Sequence, residues 1–329
     1  MSGWRFWVLL GVACAVCCLP LLSNNNYLLQ VLFRIALFGG LGLAWNLVGG
    51  YAGQLSLGHV AFFGMGAYGL AIFTAHHVPM WISLLLAALV STLIGGVIGK
   101  IVFRLRGPYF TLATIAFAEV LRLGAANLQI TGGAIGLSTP SLFTGEAFWK
   151  LFYLSAIVLA VLSFLANYWT SRSRFGYYLM AIREDEDTAS AVGIDTANYK
   201  LRSLLISAFL TALAGAFYGS AFQFIVPDSV LTIDISVQIA IIAMLGGAGT
   251  LFGPIVGALL LVSASELFKN EFGERHLLIY GTLIVLVVLF LPEGIVGSLQ
   301  QHVRRRRKPP ASSAASALGR AEVQGVAEQ

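Results

Sequence analysis

Charged residues are scarce in this sequence. Only 11% of the 329 residues are Asp, Glu, Lys or Arg, whereas 58% are hydrophobic. A soluble domain carries about 25% charged residues, because its surface faces water. The shortage excludes an ordinary water-soluble fold and indicates a chain whose surface lies mostly in lipid.

Cysteine is also rare. Cys14, Cys17 and Cys18 are the only three, and all lie in one apolar run near the start of the sequence. Their C-x-x-C spacing occurs in metal and redox sites. The surrounding residues include no His or acidic partner, so helix packing or lipid contact is the favoured role. The same run has the outline of a signal peptide, but we expect it to be retained as a first helix.

Nucleotide-binding motifs are missing as well. A phosphate-binding P-loop needs the pattern G-x-x-x-x-G-K-[ST], and a Rossmann turn needs a preceding strand. The glycine-rich stretch GGAGTLFG has neither the lysine nor the strand. We therefore expect this chain to be no enzyme and to bind no nucleotide, metal or other cofactor of its own.

Long hydrophobic runs, by contrast, recur along the chain. A helix needs roughly 17–25 apolar residues to cross a bilayer core about 30 Å thick, and continuous runs indicate helices rather than the alternating strands of a barrel. The sequence predicts an all-α polytopic membrane protein of about ten transmembrane helices, with glycine-broken segments. The predicted spans lie near residues 6–22, 28–48, 57–75, 81–103, 109–128, 148–169, 203–225, 236–247, 252–268 and 277–291.

These spans assign residues 1–303 to one transmembrane domain, followed by a basic and then disordered tail at 304–329. The run RRRRK at the start of the tail is typical of a cytoplasmic anchor near anionic lipid. Lysine and arginine are concentrated on the side that holds both chain ends and the segment 171–203, which the positive-inside rule therefore places in the cytoplasm. The opposite side holds only Lys150, Lys269 and Arg275.

Two glycine-rich stretches interrupt the apolar pattern, VGGYAGQLSLGHVAFFGMGAYG at 48–69 and LGGAGTLFGPIVGALL at 245–260. Their shared outline hints at a parallel internal repeat. Glycine permits close helix packing or a discontinuous helix beside a solute path, and the pattern leaves both open. The first stretch also contains Gln54, Ser56 and His59, which are candidates for lining such a path or for buried hydrogen bonding.

Two charges lie within the predicted span 109–128. An ionised side chain at the centre of a membrane helix costs roughly 2.5–3.5 kcal/mol, so Glu119 and Arg122 require a reason. Their i, i+3 spacing puts them on one helix face, where they can partly neutralise each other. A structural ion pair and a site on a conduction path are both open.

An uncharged, glycine-rich loop follows that span, with the sequence ITGGAIGLSTP at 130–140. The predicted topology places this loop on the outer face. Its residues Thr131, Gly132 and Gly133 are candidates for docking an external protein, although by composition it is only a turn-rich loop.

The largest cytoplasmic loop is the charged segment 171–203, SRSRFGYYLMAIREDEDTASAVGIDTANYKLRS. Its acidic cluster suits the first turn of a short helix through EDTASAV, which Gly193 can end in a left-handed cap. Asp195 can then cap a second short helix. The small residues 189–191 on an exposed helix would permit close docking into another protein, but a helix that merely connects two spans has the same pattern.

Six stretches, in order over about residues 45–299, resemble the permease subunit of bacterial ABC importers for branched-chain amino acids, the LivM-type family. They read NLVGGYAGQLSLGHVAFFGMGAYG, RLRGPYFTLATIAFAEVLRL, TGGAIGLS, AIREDEDTASAVGIDTANYKLRSLLISAFLTALAGAFYG, AMLGGAGTLFGPIVGALLL and YGTLIVLVVLFLPEGIVGSL. The resemblance implies a subunit of the bacterial cytoplasmic (inner) membrane that moves branched-chain or related hydrophobic amino acids inward by ATP-driven alternating access.

The same resemblance implies the partners. They are a second homologous permease subunit, two ATPase subunits that bind ATP and Mg, and a periplasmic solute-binding protein, with no nucleic acid. Similar permeases carry urea, short amides or aromatic acids, so these solutes are alternatives. An autonomous ion-coupled transporter, with Glu119 and Arg122 as the coupling pair, and a membrane scaffold that transports nothing are the other functions considered.

In this family the cytoplasmic loop is the coupling element that fits a cleft on the ATPase. The EAA-x-x-x-G pattern of such loops is matched loosely by Asp187-Thr188-Ala189 and Gly193, with Asp in place of Glu and Thr in place of Ala. The residues that the resemblance implies for ATPase coupling are Arg183, Glu184, Asp187, Ala189 and Gly193.

Overall fold

A computed structural model describes residues 25–272, 281–282, 294–296 and 298, and this part of the chain is mostly helical. The helices are α1 (Asn26–Asn46, continued by one turn of π-helix at Leu47–Tyr51), α2 (His59–Ala75), α3 (Met80–Val102), α4 (Pro108–Asn127), α5 (Phe148–Arg172), α6 (Arg174–Glu184), α7 (Glu186–Ala191), α8 (Thr196–Phe222), α9 (Pro227–Val230), α10 (Ile233–Gly247) and α11 (Gly253–Phe272). A 3-10 turn at Gln129–Thr131 and two short strands, β1 (Leu137–Ser138) and β2 (Phe224–Ile225), complete the described elements.

Six helical segments among the described residues are long and apolar enough to cross a membrane. They are Asn26–Tyr51, Met80–Val102, Pro108–Asn127, Phe148–Arg172, Thr196–Phe222 and Pro227–Gly247. Eight of the predicted spans coincide with α1 to α5, α8, α10 and α11, but the predicted count of about ten is not confirmed. The predicted span 6–22, nearly all of 277–291, the three cysteines and the tail 304–329 lie outside the described residues.

Close helix packing forms the centre of the bundle, where α2 runs beside α8 and α1 packs against α5 and α11. A Cβ added at Gly66 would lie 1.9 Å from the carbonyl oxygen of Ala212, and one at Gly215 would lie 1.8 Å from that of Phe63. The backbones of α2 and α8 therefore touch directly, which only residues without a side chain permit.

The two glycine-rich stretches meet at one end of the bundle. Gly42 lies beside Ile242 and Gly50 lies beside Gly249, so α1 and α10 run in the same direction and are broken at the same level. This arrangement is what the predicted parallel repeat requires. We call this end of the bundle, where α6 and α7 also lie, the junction end.

The strands tie two connections together at the opposite end. Leu137 pairs with Ile225 and Ser138 with Phe224 in an antiparallel ladder, and the Thr139 N–H donates to the Gln223 carbonyl at 2.8 Å. The loop after α4 is thereby fixed to the end of α8.

The segment 171–203 departs from its prediction at Asp195. Asp195 does not begin a separate short helix but caps α8 itself, a continuous helix of 27 residues. No glycine or proline occurs between Thr196 and Gly215, so nothing in the backbone interrupts the helix where it enters the bundle.

Candidate functional site

The short helix α7 is formed by local capping at both ends. The Asp185 carboxylate accepts from the Thr188 N–H at 2.7 Å, and this backbone hydrogen bond lowers the pKa of Asp185 below its usual range. Gly193 has φ +89, and the next residue, Ile194, donates its N–H to the Ala189 carbonyl at 3.1 Å. The predicted short helix and its left-handed cap are both present.

A buried ion pair attaches α7 to α8. The Lys200 side chain is 0% exposed, and its Nζ lies 2.6 Å from Glu186 Oε1. The same ammonium group lies 5.5 Å from the centre of the Phe103 ring, and the Thr196 hydroxyl donates to Glu186 at 3.3 Å. Because a buried charge is stable only when it is paired, α7 cannot leave α8 at low cost.

The remaining contacts of α7 decide which of its faces is free. Asp187 is paired with Arg106, from the connection between α3 and α4, and both side chains are largely exposed. Ala189 is only 3% exposed, so the expectation that it lies on the exposed surface with Ser190 and Ala191 is not met. α7 and its C-cap Val192 therefore present Asp187, Thr188, Ser190, Ala191 and Val192 to solvent.

Arg183, at the end of α6, reaches into both glycine-rich breaks. Its Nη1 donates to the Gly50 carbonyl at 2.7 Å. A Cβ added at Gly53 would lie 2.7 Å from Arg183 Cγ, and one at Gly249 would lie 2.5 Å from Arg183 Nη1. Glycine at these two positions therefore makes room for the arginine. Arg183 and the neighbouring Glu184 are both exposed to solvent.

Two asparagines complete the contacts at this end, and sequence reasoning did not single them out. Asn46 accepts from the Gly249 N–H at 2.7 Å and donates to Thr250 O at 3.1 Å and to Asn167 Oδ1 at 3.0 Å. Asn167 in turn donates to Leu43 O and Ser163 O, both at 2.8 Å. Two fully buried asparagines within apolar spans were the available signal, because polar groups at membrane depth are costly without partners.

We call Asn46, Gly50, Asn167, Arg183 and Gly249 the polar junction. Its members come from α1, from α5, from α6 and from the two glycine-rich breaks. Hydrogen bonds join Asn46 to Asn167 and to Gly249, and Arg183 to Gly50. The two sets are in contact because Gly249 lies against Arg183 and beside Gly50.

The polar residues of the first glycine-rich stretch are largely buried within the chain. His59 is 0% exposed, with Nε2 2.8 Å from Ser207 Oγ and Nδ1 3.1 Å from Ser56 Oγ. The Ser207 hydroxyl donates to Ala44 O at 2.6 Å, so it accepts from His59 Nε2–H. Ser56 is likewise buried, whereas Gln54 is half-buried and donates to Ala52 O at 3.4 Å.

Glu119 and Arg122 form a bidentate ion pair with N to O distances of 2.9 and 2.5 Å. Arg122 also donates to Asp228, from α9, at 2.7 Å. The side chains of Glu119, Arg122 and Asp228 are 47%, 28% and 75% exposed. Asp228 was not singled out from the sequence, because it lies 106 positions further along the chain.

Arg34, which lies within α1, is also paired. Its Nη1 lies 2.5 Å from Glu266 of α11, and its guanidinium carbon lies 5.6 Å from the centre of the Phe222 ring. This pair connects α1 to α11.

The candidate docking loop after α4 is built around internal contacts. The Thr131 hydroxyl donates to Ala125 O at 2.6 Å, and a Cβ at Gly132 would lie 2.1 Å from Gly136 O. Gly132 and Gly133 both have positive φ, +71 and +61. These three residues shape the loop, which presents two large apolar side chains to solvent, Ile130 at 58% and Ile135 at 83% exposure.

Comparison with known proteins gives consistent matches. A family model described as the permease component of the branched-chain amino acid transport system matches residues 27–290. The LivM permease of the high-affinity branched-chain amino acid transport system of Salmonella typhimurium is 34% identical over 285 residues, which cover 78% of this chain and 67% of that protein. The Escherichia coli LivM permease is 33% identical over the same shares. The LivH permease of Salmonella typhimurium is 26% identical over 297 residues, 82% of this chain and 96% of that protein. No solved structure gives a significant match.

Proposed function

This chain belongs to the permease family of branched-chain amino acid transport systems, and it is a multi-pass membrane protein. From that membership we propose that it is a transmembrane subunit of an ATP-binding-cassette importer in the bacterial cytoplasmic membrane. Its solutes are branched-chain or related hydrophobic amino acids. Urea, short amides and aromatic acids are the alternative solutes.

The observation that carries this proposal is the way in which α7 is held. It is a preformed helix with an exposed face of small and apolar side chains, anchored by Glu186 to the buried Lys200 of α8. A partner that grips this face can move α8 with it, because separating the helices would leave a charge buried and unpaired. We propose that the partner that binds this face is an ATPase subunit. That subunit, and not this chain, binds ATP and Mg.

A movement of α7 can also be transmitted to the bundle through the polar junction. α6 precedes α7 directly, and Arg183 at its end contacts Gly50 and lies against Gly249. A shift of α6 and α7 would therefore act on the breaks between α1 and α2 and between α10 and α11. Because these breaks lack a continuous helical ladder, they are the places where the bundle can change shape between inward and outward access.

The exposed charges of α4 indicate where the second permease subunit lies. α4 is the least buried of the six membrane-length segments, and it carries Glu119 and Arg122. Ionised groups in a membrane protein face the bundle interior, a water-filled path or another subunit rather than lipid. We propose that this face of α4 meets a second, homologous permease and lines the solute path between the two.

The orientation follows from the same proposal. The junction end, with α7, lies in the cytoplasm, and the loop at 130–140 lies at the periplasmic end, where a solute-binding protein delivers its ligand. The chain ends are proposed to be cytoplasmic.

Uptake into proteoliposomes tests the function. The chain is reconstituted with a second permease and ATPases, and uptake of radiolabelled leucine is measured with the binding protein outside and ATP inside. We expect uptake that requires ATP, with competition by unlabelled isoleucine and valine. Leucine uptake by this chain alone, driven by a proton or sodium gradient, would support the ion-coupled alternative and reject the proposal. Competition by urea, amides or aromatic acids, without competition by isoleucine, would change the solute only.

A further inference from the structure

An aromatic cleft with two arginines opens at the junction end, between α5, α6 and α8. Its volume is about 590 Å³. Its polar and aromatic lining consists of Trp169, Arg174, Phe175, Tyr178, Tyr199 and Arg202. None of the functional roles proposed above uses this cleft.

The walls of the cleft are rigid because its rings pack on one another. Trp169 stacks on Phe175 with ring centres 5.9 Å apart, and Phe175 lies 5.9 Å from Tyr199. Tyr178 meets Tyr199 edge to face at 4.9 Å. The guanidinium carbon of Arg202 lies over the Tyr199 ring, 5.7 Å from its centre.

The position of Trp169 shows which environment the cleft faces. Trp169 is 58% exposed and lies on the same face of α5 as the exposed residues Val158 and Leu162. Val158 precedes Leu162 by four positions, and Leu162 precedes Trp169 by seven. α5 is one of the membrane-length helices, so this stripe of apolar side chains contacts lipid. The cleft lies where that stripe reaches the last turn of α5, at the membrane–water boundary, where tryptophan and tyrosine are enriched.

The positive charge of the cleft favours an anionic lipid. Two guanidinium groups line it, and no carboxylate of the described residues does; Asp195, at the start of α8, is the acidic group that acts electrostatically on Arg202. Guanidinium groups bind phosphate oxygens with paired hydrogen bonds. Basic pockets between membrane helices bind anionic lipid headgroups in this way.

We propose that this cleft binds the headgroup of an anionic phospholipid. Arg174 and Arg202 contact its phosphate, and one acyl chain lies along the Val158–Leu162 stripe of α5. Arg174 belongs to α6 and Arg202 to α8, so the bound lipid bridges these two helices beside the polar junction. This inference requires only that the chain spans a membrane, and it does not depend on the transport mechanism.

Lipid retention by the purified full-length protein tests this inference. The protein is extracted from vesicles of equal parts phosphatidylglycerol and phosphatidylcholine, and its bound lipid is quantified by mass spectrometry. We expect several-fold enrichment of phosphatidylglycerol, most of which is lost in the double variant Arg174→Gln/Arg202→Gln. The matched control is Arg172→Gln, because Arg172 is also exposed but lies over the Tyr168 ring and not in the cleft.

A second readout uses the cleft tryptophan and does not need the double variant. Brominated phosphatidylglycerol should quench the fluorescence that wild-type protein loses in Trp169→Phe, and brominated phosphatidylcholine should quench it several-fold less. Equal quenching by the two lipids would overturn the proposal. Equal retention of the two lipids would also overturn the proposal, and so would equal loss of lipid in the double variant and in Arg172→Gln. Equal loss in these variants is the result expected if a protein subunit covers the cleft.

Discussion

The Nη1 atom of Arg183 donates a 2.7 Å hydrogen bond to the carbonyl oxygen of Gly50, which lies 133 positions earlier in the chain. Gly249, from the second glycine-rich break, lies against the same guanidinium. One side chain at the end of α6 thus touches both places where the helical bundle is interrupted.

Removing this contact should separate ATP hydrolysis from transport. In Arg183→Ala, a charge-assisted hydrogen bond of about 1.5–3 kcal/mol is lost, so we expect leucine uptake to fall about tenfold or more while ATPase activity is retained. Arg172→Gln, a change of an exposed arginine in the last turn of α5, serves as the control and should keep normal uptake. Unchanged uptake in Arg183→Ala would remove the polar junction from the mechanism.

The asparagine network should contribute to stability. Asn46→Ala removes the acceptor of the Gly249 N–H and the donor to Asn167 Oδ1, and a buried unsatisfied group costs about 1–3 kcal/mol. We expect a lower melting temperature of the purified protein by scanning fluorimetry. Asn127→Ala is the matched control, because Asn127 is exposed and donates to Leu123 O of its own helix. Equal effects of the two substitutions would contradict the role of the buried network.

The ion pair between α7 and α8 should respond unequally to loss of its two partners. Glu186→Ala leaves the fully buried Lys200 without its carboxylate, and breaking a buried pair in this way costs about 3–5 kcal/mol. Lys200→Met should cost less, because Glu186 is 18% exposed and still accepts from Thr196.

Adding Lys200→Met to Glu186→Ala should restore part of the lost stability, because the second substitution removes the buried, unpaired charge of Lys200. The exposed pair of Arg106 and Asp187 provides the contrast, because breaking it should change stability by about 1 kcal/mol or less. Thermal melting of the variants measures all these differences, and additive losses at Glu186 and Lys200 would disprove their coupling.

Cysteine crosslinking should locate the surface that the ATPase grips. Ser190→Cys places a thiol on the exposed face of α7, whereas Ala189→Cys places it in the chain interior, where Ala189 is 3% exposed. We expect a crosslink to an ATPase subunit from position 190 and little or none from 189. Reagents applied from the periplasmic side should label neither position. Labelling of position 190 from that side would reverse the proposed orientation.

Local signals made parts of the fold predictable. The lengths of the hydrophobic runs predicted eight helices at nearly their observed positions. Gly193 ends α7 with φ +89, as its position after the small residues 189–191 predicted. Asp195 was identified as a cap. Each of these features depends on neighbours within a few positions along the chain, so a single sequence contains them.

The candidate site was predictable only in pieces. The sequence placed Arg183 in a functional loop but not against Gly50, and it noted Glu119 and Arg122 without Asp228. It also placed Ala189 on the wrong side of its helix, because a helix of six residues is too short for a periodic pattern to indicate its buried face. The asparagines were missed because their partners lie up to 204 positions away. Lys200 was missed because its burial depends on packing against residues such as Phe103, which lies on a distant part of the chain.

Composition and the spacing of apolar runs determined by themselves that this chain is helical and lies in a membrane, because water excludes such a surface and lipid requires backbone hydrogen bonds within each segment. Only the tertiary structure decided which polar groups meet. Arg183 reaches Gly50 and Gly249 because α1 and α10 run parallel and break at one level. That alignment results from packing between distant helices, which no local stretch of sequence specifies.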